Sequence, residues 1–345
     1  MIPALHLLMQ GKAGRGTSRL TWYVFFVFLV LIIGLRYQVG GDWFTYLEDL
    51  NESRERSWSE LFDFRKESGY TLINWSSVAL GLDIYGINLV CAALFVYGLI
   101  KLAKDQPYPW LAIAAATPYL IIVVAMGYTR QAAAIGLLMY SVKYLIDNKV
   151  TQYFLVVSLA GLLHKTAFIF MAFSLFRPKS GLKTKMIGGV LLAALLYGTM
   201  IVEQAAFLMK VYVEETMESE GGQIRVLMNL PAALLLFSFW RKWGRLYRDR
   251  WFWSLIALLA IISLFLVAKA STAVDRMAIY FIPLQLVAYS RLPELMKGII
   301  NEKLIISSLV VYFFVVQFVW LVFGTHAPYW VPYRFFPIEW FLSLI

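Results

Sequence analysis

Four cations stand where hydrophobic runs of the chain begin: Arg130, Lys165, Arg225 and Arg276. On the topology derived below, all four fall at one end of the apolar segments, the end that is otherwise poor in Lys and Arg. The segments starting there place helix N-termini at the same end, and a cation beside a helix N-terminus is unfavourable by a few tenths to ~1 kcal/mol. The arrangement becomes favourable when the cations share an anion, because helix N-termini and arginine both bind phosphate oxygens. The competing reading is that each cation anchors at a membrane interface or pairs with a loop acid. Convergence of the set on one face favours the shared anion.

The neighbours of these cations describe a lined cavity. Gln131 follows Arg130, and Ala132 to Ala134 permit close helix approach. Arg276 and Tyr280 are four apart, as are Arg225 and Asn229, so each pair is expected to share a helix face. Tyr70 and Asn74 form a further polar pair, and such pairs serve equally as interhelical hydrogen-bond glue.

Among the groups able to move a proton, His164 is the one histidine inside the hydrophobic body, in Leu163-His164-Lys165-Thr166-Ala167. It can accept a proton from a hydroxyl, or simply donate to a backbone carbonyl at a helix break. Asp42, in Gly40-Gly41-Asp42-Trp43, is the second candidate base, and Glu67 is placed to meet hydroxyl groups of a substrate. Asp275 is expected to cap its helix or to pair with Arg276. No metal site is expected: one histidine, a single cysteine (Cys91) and no H-E-x-x-H leave no usual ligand set. Gly11 to Thr17 is glycine-rich and basic, but no strand precedes it, so a phosphate loop has little support.

The elements that must position these residues are membrane helices. Of 345 residues, 61% are hydrophobic and 15% charged, which excludes an ordinary soluble domain. The apolar runs are continuous rather than alternating, which excludes an outer-membrane barrel. The formal charge of +10 does not form a basic face with interleaved aromatics, so no nucleic-acid partner is expected. We expect a single all-α integral domain over 1–345 with eleven spans: 20–36, 84–103, 108–127, 130–147, 151–163, 165–177, 184–202, 223–240, 251–270, 276–290 and 303–325. Segment 69–82 is apolar but short and is expected to re-enter or lie against the bundle.

Several spans fall below the ~20 residues of a straight crossing, as do broken helices that line cavities. Lys12, Arg15 and Arg19 precede an uncleaved first span, with no A-x-A-like site after it. With the N-terminus in the cytoplasm, segments 1–19, 101–107, 143–150, 177–185, 241–250 and 291–303 hold 19 Lys/Arg against 5 Asp/Glu, leaving 12 cations and 16 acids for the rest. The C-terminus is then outside. Outer segments 37–68 (Trp43, Tyr46, Trp58, Phe62), 203–222 (acidic from Glu214 to Glu220) and 326–345 (Tyr329, Trp330, Tyr333, Phe335, Phe336, Trp340) are aromatic or acidic.

The order of these motifs resembles a known family. Arg36 with Val39-Gly40-Gly41-Asp42-Trp43 and Tyr46, Glu67-Ser68-Gly69-Tyr70, Arg130-Gln131 with Ala134, His164-Lys165-Thr166-Ala167, and Asp275-Arg276 with Tyr280 are similar to the EpsG-type branch of the Wzy polysaccharide polymerases. Each motif is short, and the match rests on order, spacing and membrane placement over residues 20 to 290. Gly40-Gly41-Asp42-Trp43 departs from the Gly-Thr-Asp-Tyr of that pattern.

The resemblance implies a polymerase-type helical bundle of the GT-C-like class in the bacterial inner membrane. It implies transfer of a growing glycan from undecaprenyl pyrophosphate to the next lipid-linked repeat unit at the periplasmic face. Arg130, Arg225 and Arg276 would hold the pyrophosphate, with Arg36 and Lys165 nearby. Gln131, Tyr280, Asp275 and Glu67 would complete the substrate site, and His164 or Asp42 would take the acceptor's proton. No cofactor is implied; a flippase and a chain-length regulator are implied as partners. An O-antigen-ligase-like enzyme, a flippase or transporter of lipid-linked oligosaccharide and, more remotely, a membrane acyltransferase using His164 remain competing readings.

Overall fold

The computed structural model describes residues 17–55, 67–178, 222–268 and 271–344, with the isolated positions 181 and 189. The expected span 184–202, the acidic stretch Glu214 to Glu220, Trp58, Phe62 and the N-terminal basic segment to residue 16 lie outside the described residues. Apart from one backbone bridge between Arg36 and Phe335, the regular elements among the described residues are helical.

The chain opens with α1 (Arg19–Gly34), whose first turn is capped by Ser18 accepting the Thr21 N–H at 3.1 Å. Helices α2 (Trp43–Glu55) and α3 (Ser68–Ala79) follow, then α4 (Asp83–Lys104) and α5 (Pro109–Gly127). Pro109 starts α5 in the position where its missing N–H costs nothing, and Pro118 lies in a π-helical stretch, Thr117–Val124. Next come α6 (Thr129–Ile146), α7 (Val150–Leu163) and a 3₁₀ helix (Lys165–Phe176). The remainder is α8 (Gly222–Leu227), α9 (Leu230–Ser238), α10 (Trp240–Leu246), α11 (Arg250–Leu266), α12 (Ser271–Ile279), α13 (Pro283–Leu295), α14 (Glu302–Phe323) and α15 (Phe336–Leu342).

Among the described residues, α4, α5 and α14 are long and apolar enough to cross a membrane, and α8–α9 with α10, bent by 77°, makes a fourth. Helices α1, α7, α11 and the 3₁₀ helix are apolar but shorter. Two expected spans are broken. The 223–240 run is interrupted at Met228 and Asn229, and the 276–290 run divides into α12 and α13, with Pro283 opening the second helix. The 37–68 segment contains α2, and the C-terminal tail carries α15 rather than only loop.

The core is centred on α4 and α6, which cross with almost no separation between backbones. A Cβ on Gly98 would lie 1.7 Å from the Gly136 carbonyl oxygen, and one on Gly136 would lie 2.4 Å from the Phe95 Cα. Small residues at such crossings let van der Waals packing replace the hydrophobic drive that lipid removes. Phe95, Leu99, Ala133 and Ala134 are fully buried around it. Helix α14 is the opposite case: Ile305, Ile306, Leu309 and Phe313 are buried, while Phe314, Phe318, Val322 and Phe323 form an exposed apolar face.

At the far end of α13, Arg291 makes a two-point ion pair with Asp249 (2.7 and 2.6 Å), donates to Gln106 at 2.9 Å and lies over the Tyr247 ring at 3.9 Å. Trp253 donates to the same carboxylate at 3.0 Å. This buried, hydrogen-bonded pair joins α11, α13 and the start of α5, and it was not visible as a pattern of spacing.

Candidate functional site

The site begins with an arginine that does not line the cavity described below. Arg36, just past α1, is 1% exposed and donates to the carbonyls of Val39 (3.1 Å) and Ile33 (2.7 Å), and to Asn88 (3.1 Å) and Thr129 (2.8 Å). Its guanidinium also lies 5.6 Å from the Trp43 ring centroid. A planar fork of donors suits this clamp, which no lysine would reproduce. The clamp shapes the following turn, where Gly40 has φ +104° and no space for a Cβ: such an atom would lie 2.3 Å from the Met126 carbonyl oxygen. Arg36 therefore positions Asp42 from behind and is not itself presented to a ligand.

Arg130, near the start of α6, is held from two sides. Its Nη1 donates to Glu67 at 3.1 Å and lies 3.7 Å from Asp49, and its guanidinium lies over Tyr70 (5.2 Å) and Tyr46 (5.5 Å). The other Glu67 oxygen accepts the Lys165 backbone N–H at 3.3 Å, so one carboxylate ties α6 to the start of the 3₁₀ helix. Burial raises the Glu67 carboxyl above its ordinary value, opposed by Arg130 and the Lys165 N–H.

The turn between α7 and the 3₁₀ helix carries His164. Its Nδ1 meets Thr166 Oγ1 at 2.6 Å and the Tyr280 hydroxyl at 3.0 Å, while those two hydroxyls are 2.9 Å apart. Desolvation, reinforced by Arg130 and Arg276, lowers the imidazole to about 3, so it is neutral near neutral pH.

The arginines of α8 and α12 depart from the sequence expectation. Arg225 and Arg276 were expected at helix N-termini; both lie in the last turn of their helices, where the macrodipole favours a cation. The helices start earlier and end sooner than the hydropathy implied, because each run is broken. Asp275 was expected to cap its helix or pair with Arg276, but Arg225 binds it at two points, 2.5 and 2.6 Å, with side chains 14% and 7% exposed. Arg276 is exposed and makes no side-chain hydrogen bond or ion pair among the described residues. Its carbonyl accepts from Gln131 Nε2 at 2.7 Å, so Gln131 holds the backbone that presents it.

Arg225 and Asn229 both reach the 275–278 segment, the first through Asp275 and the second through the Ala278 carbonyl, as a shared face requires. Tyr280 is buried, bonds to His164 and lies just past the end of the helix that carries Arg276. Asn229 is buried, donates to the Ala278 carbonyl at 3.0 Å and accepts from Gln285 at 3.0 Å, which makes it the interhelical glue of the alternative reading.

A cavity of about 550 Å³ opens beside these groups, within the ~300–1,000 Å³ typical of small-molecule sites. Asp42, Tyr119, Tyr128, Arg225, Thr325 and His326 form its polar lining. Val123, Ile224, Met228, Trp320, Phe323 and Trp330 form its apolar side. Burial raises the Asp42 carboxyl above its ordinary value, and the cations that oppose this are Arg276 first, then Arg130. Asp42 is thus the predicted residue that both lines the cavity and feels the two arginines; Arg225 lines it as a neutralised pair. Arg276, Arg130, Arg36, Asp275, His164, Glu67, Lys165, Gln131 and Tyr280 stand outside the lining.

Sequence reasoning missed Thr129 and Asn88, which hold Arg36, and gave no role to Thr166, which holds His164. A polar side chain inside an apolar run was the available signal for Asn88. The π-helical stretch of α5, which lines the cavity through Tyr119 and Val123, leaves no mark in hydrophobic periodicity except Pro118.

Neither the curated proteins nor the solved structures contain a match to the chain. The family model described as EpsG family matches residues 19–335, nearly the whole chain and all the motifs named above. That family points to a polysaccharide polymerase role in a membrane. A match over that length places the chain in the EpsG family.

Proposed function

We propose that the chain is a membrane glycosyltransferase that extends a polysaccharide by moving the growing glycan from undecaprenyl pyrophosphate to the next lipid-linked repeat unit. The observation that carries this reading is Arg276, exposed and unpaired among the described residues, acting on Asp42 at the cavity wall. An anionic leaving group next to Arg276 supplies the missing partner, whereas Arg130 is already matched by Glu67 and Asp49.

The acceptor hydroxyl oxygen attacks the anomeric carbon while the bond from that carbon to the diphosphate oxygen breaks. The electron pair leaves with the diphosphate, which Arg276 stabilises, and the hydroxyl proton passes to Asp42. Displacement in one step inverts the anomeric centre, and because arginine supplies the positive charge the scheme contains no metal step. Asp42 is preferred to His164 as the base because it lines the cavity, whereas an imidazole lowered to about 3 is a weak proton acceptor. His164, Thr166 and Tyr280 then order the wall behind Arg130. The aromatic lining offers faces on which sugar rings stack.

In this reading the chain crosses the inner membrane up to eleven times, with the N-terminus cytoplasmic and the cavity facing outward, a direction the loop charges support. The short helices α7, α11 and α12 and the 3₁₀ helix then pack within the bundle instead of spanning lipid alone. A flippase would supply the substrate and a chain-length regulator would limit the product.

The test is a reconstituted assay. Purified protein receives undecaprenyl-pyrophosphate repeat units, and products are resolved by size. The expected result is a ladder that disappears in Arg276→Ala and in Asp42→Asn while both proteins stay in the membrane. A normal ladder from either variant would overturn its assignment.

A further inference from the structure

The turn that carries Asp42 is held by the far end of the chain. Gly40 donates its N–H to the Tyr329 carbonyl at 2.8 Å, Tyr37 donates to Arg334 O at 2.9 Å, and Phe336 donates to Leu35 O at 2.8 Å. Tyr333 adds a bond from its hydroxyl to Ile32 O at 2.6 Å, and Arg334 joins Gln38 (2.9 Å) to Glu339 (2.7 Å). Residues 329–336 are therefore strapped along 32–40, immediately before Asp42.

Within the strap, Trp330 occupies the gap between the Asp42 turn and α5. It is 6% exposed. Its indole N–H donates at 2.8 Å to the carbonyl of Ile122, inside the π-helical stretch, and its ring meets Trp320 edge-on with centroids 5.2 Å apart. A Cβ on Gly127 would lie 2.5 Å from the Trp330 Cζ2, and one on Gly41 would lie 3.9 Å from its Cη2. The ring thus touches both sides: the glycine after the π-helical stretch and the glycine before Asp42. It lines the same cavity as Asp42.

We propose that Trp330 is a positioning residue for Asp42, transmitting the fixed geometry of the π-helical stretch of α5 to the Gly40–Asp42 turn. The inference rests on the reading of Asp42 as the base. A base must stand within hydrogen-bond reach of the proton it takes, and ~1 Å of misplacement can cost ~100-fold in rate. Gly40 is confined to a positive φ between Met126 and Tyr329, and the indole packed at the next residue adds a second restraint on the direction of the turn.

The experiment measures kcat, KM and the pH profile of kcat on reconstituted full-length protein with undecaprenyl-pyrophosphate repeat units, for four variants. Trp330→Phe keeps a ring and loses the bond to Ile122. The expected result is kcat lower by about tenfold, KM within about twofold of the parent, and a displaced acidic limb of the pH profile. Gly127→Ala leaves Trp330 in place but drives its ring aside, and it serves if Trp330→Phe does not accumulate; the same pattern is expected.

The double variant Gly127→Ala with Trp330→Phe relieves the clash and is expected to retain more activity than the product of the single losses. Asp42→Asn separates the two claims. If Asp42→Asn is active, the reading of Asp42 as the base fails, and the positioning role with it. If Asp42→Asn is inactive while Trp330→Phe and Gly127→Ala keep parental kcat and pH profiles, or change KM alone, the positioning role fails and the base assignment stands.

Discussion

Asp275 and Arg276 are adjacent in sequence, yet Asp275 is locked to Arg225 through two hydrogen bonds of 2.5 and 2.6 Å while Arg276 stands exposed without a described partner. The pair joins α8 to α12 and cancels one cation at the cavity wall. What remains for an incoming anion is Arg276, since Arg130 is held by Glu67 and Asp49.

Arg276 should therefore matter to activity and not to folding. Arg276→Ala is expected to abolish chain growth with membrane protein at parental levels, and Arg276→Lys to recover part of it, because a point charge lacks the two-point geometry. Product ladders and membrane immunoblots measured together check this.

Arg225→Ala and Asp275→Asn should show the reverse balance. Removing one partner of a buried ion pair leaves an unpaired charge and costs ~3–5 kcal/mol. Both single variants are expected to unfold at lower temperature in detergent, whereas Arg225→Met combined with Asp275→Leu should recover much of the loss. Thermal unfolding of the purified variants decides it; equal losses in the singles and the double would refute the pair's structural role.

The pH profile of kcat/KM should rise with pH through a value above the ordinary aspartate range. The sign follows from burial: it raises the Asp42 carboxyl, and the base is competent only when ionised, so activity is lost as pH falls through that raised value. His164, lowered to about 3, is neutral throughout pH 5 to 8, so no inflection near ~6.5 should come from it in the free enzyme. His164→Gln should leave the profile unmoved. A shift on that substitution would make the imidazole the titrating base.

Gly136→Ala tests the core rather than the site. Its Cβ would lie 2.4 Å from the Phe95 Cα, and backbone at a tight crossing cannot yield as a flexible side chain does. Loss of protein from the membrane is expected. Gly41→Ala, whose Cβ would meet only Trp330 at 3.9 Å, should accumulate at the parental level.

Much of the architecture was legible because hydropathy is local. The ends of α4, α5, α7 and α14 fall within two residues of the runs read from sequence, and the motif order led to the family that the chain belongs to. The breaks in the 223–240 and 276–290 runs were harder to see, because Asn229 and Pro283 interrupt helices without interrupting hydrophobicity. That error reversed the electrostatic argument for Arg225 and Arg276, placing them at helix N-termini when they lie in last turns.

The sequence by itself determined the composition of the bundle, its charge asymmetry and a short set of residues able to bind an anion or take a proton. Tertiary structure alone decided their employment. Arg36 is buried in a backbone clamp, Arg225 is neutralised by a residue fifty positions away, and Arg276 is left exposed. The physical reason is that a charge's role depends on which opposite charge and how much water lie within a few ångströms, and those neighbours come from elements remote in the chain.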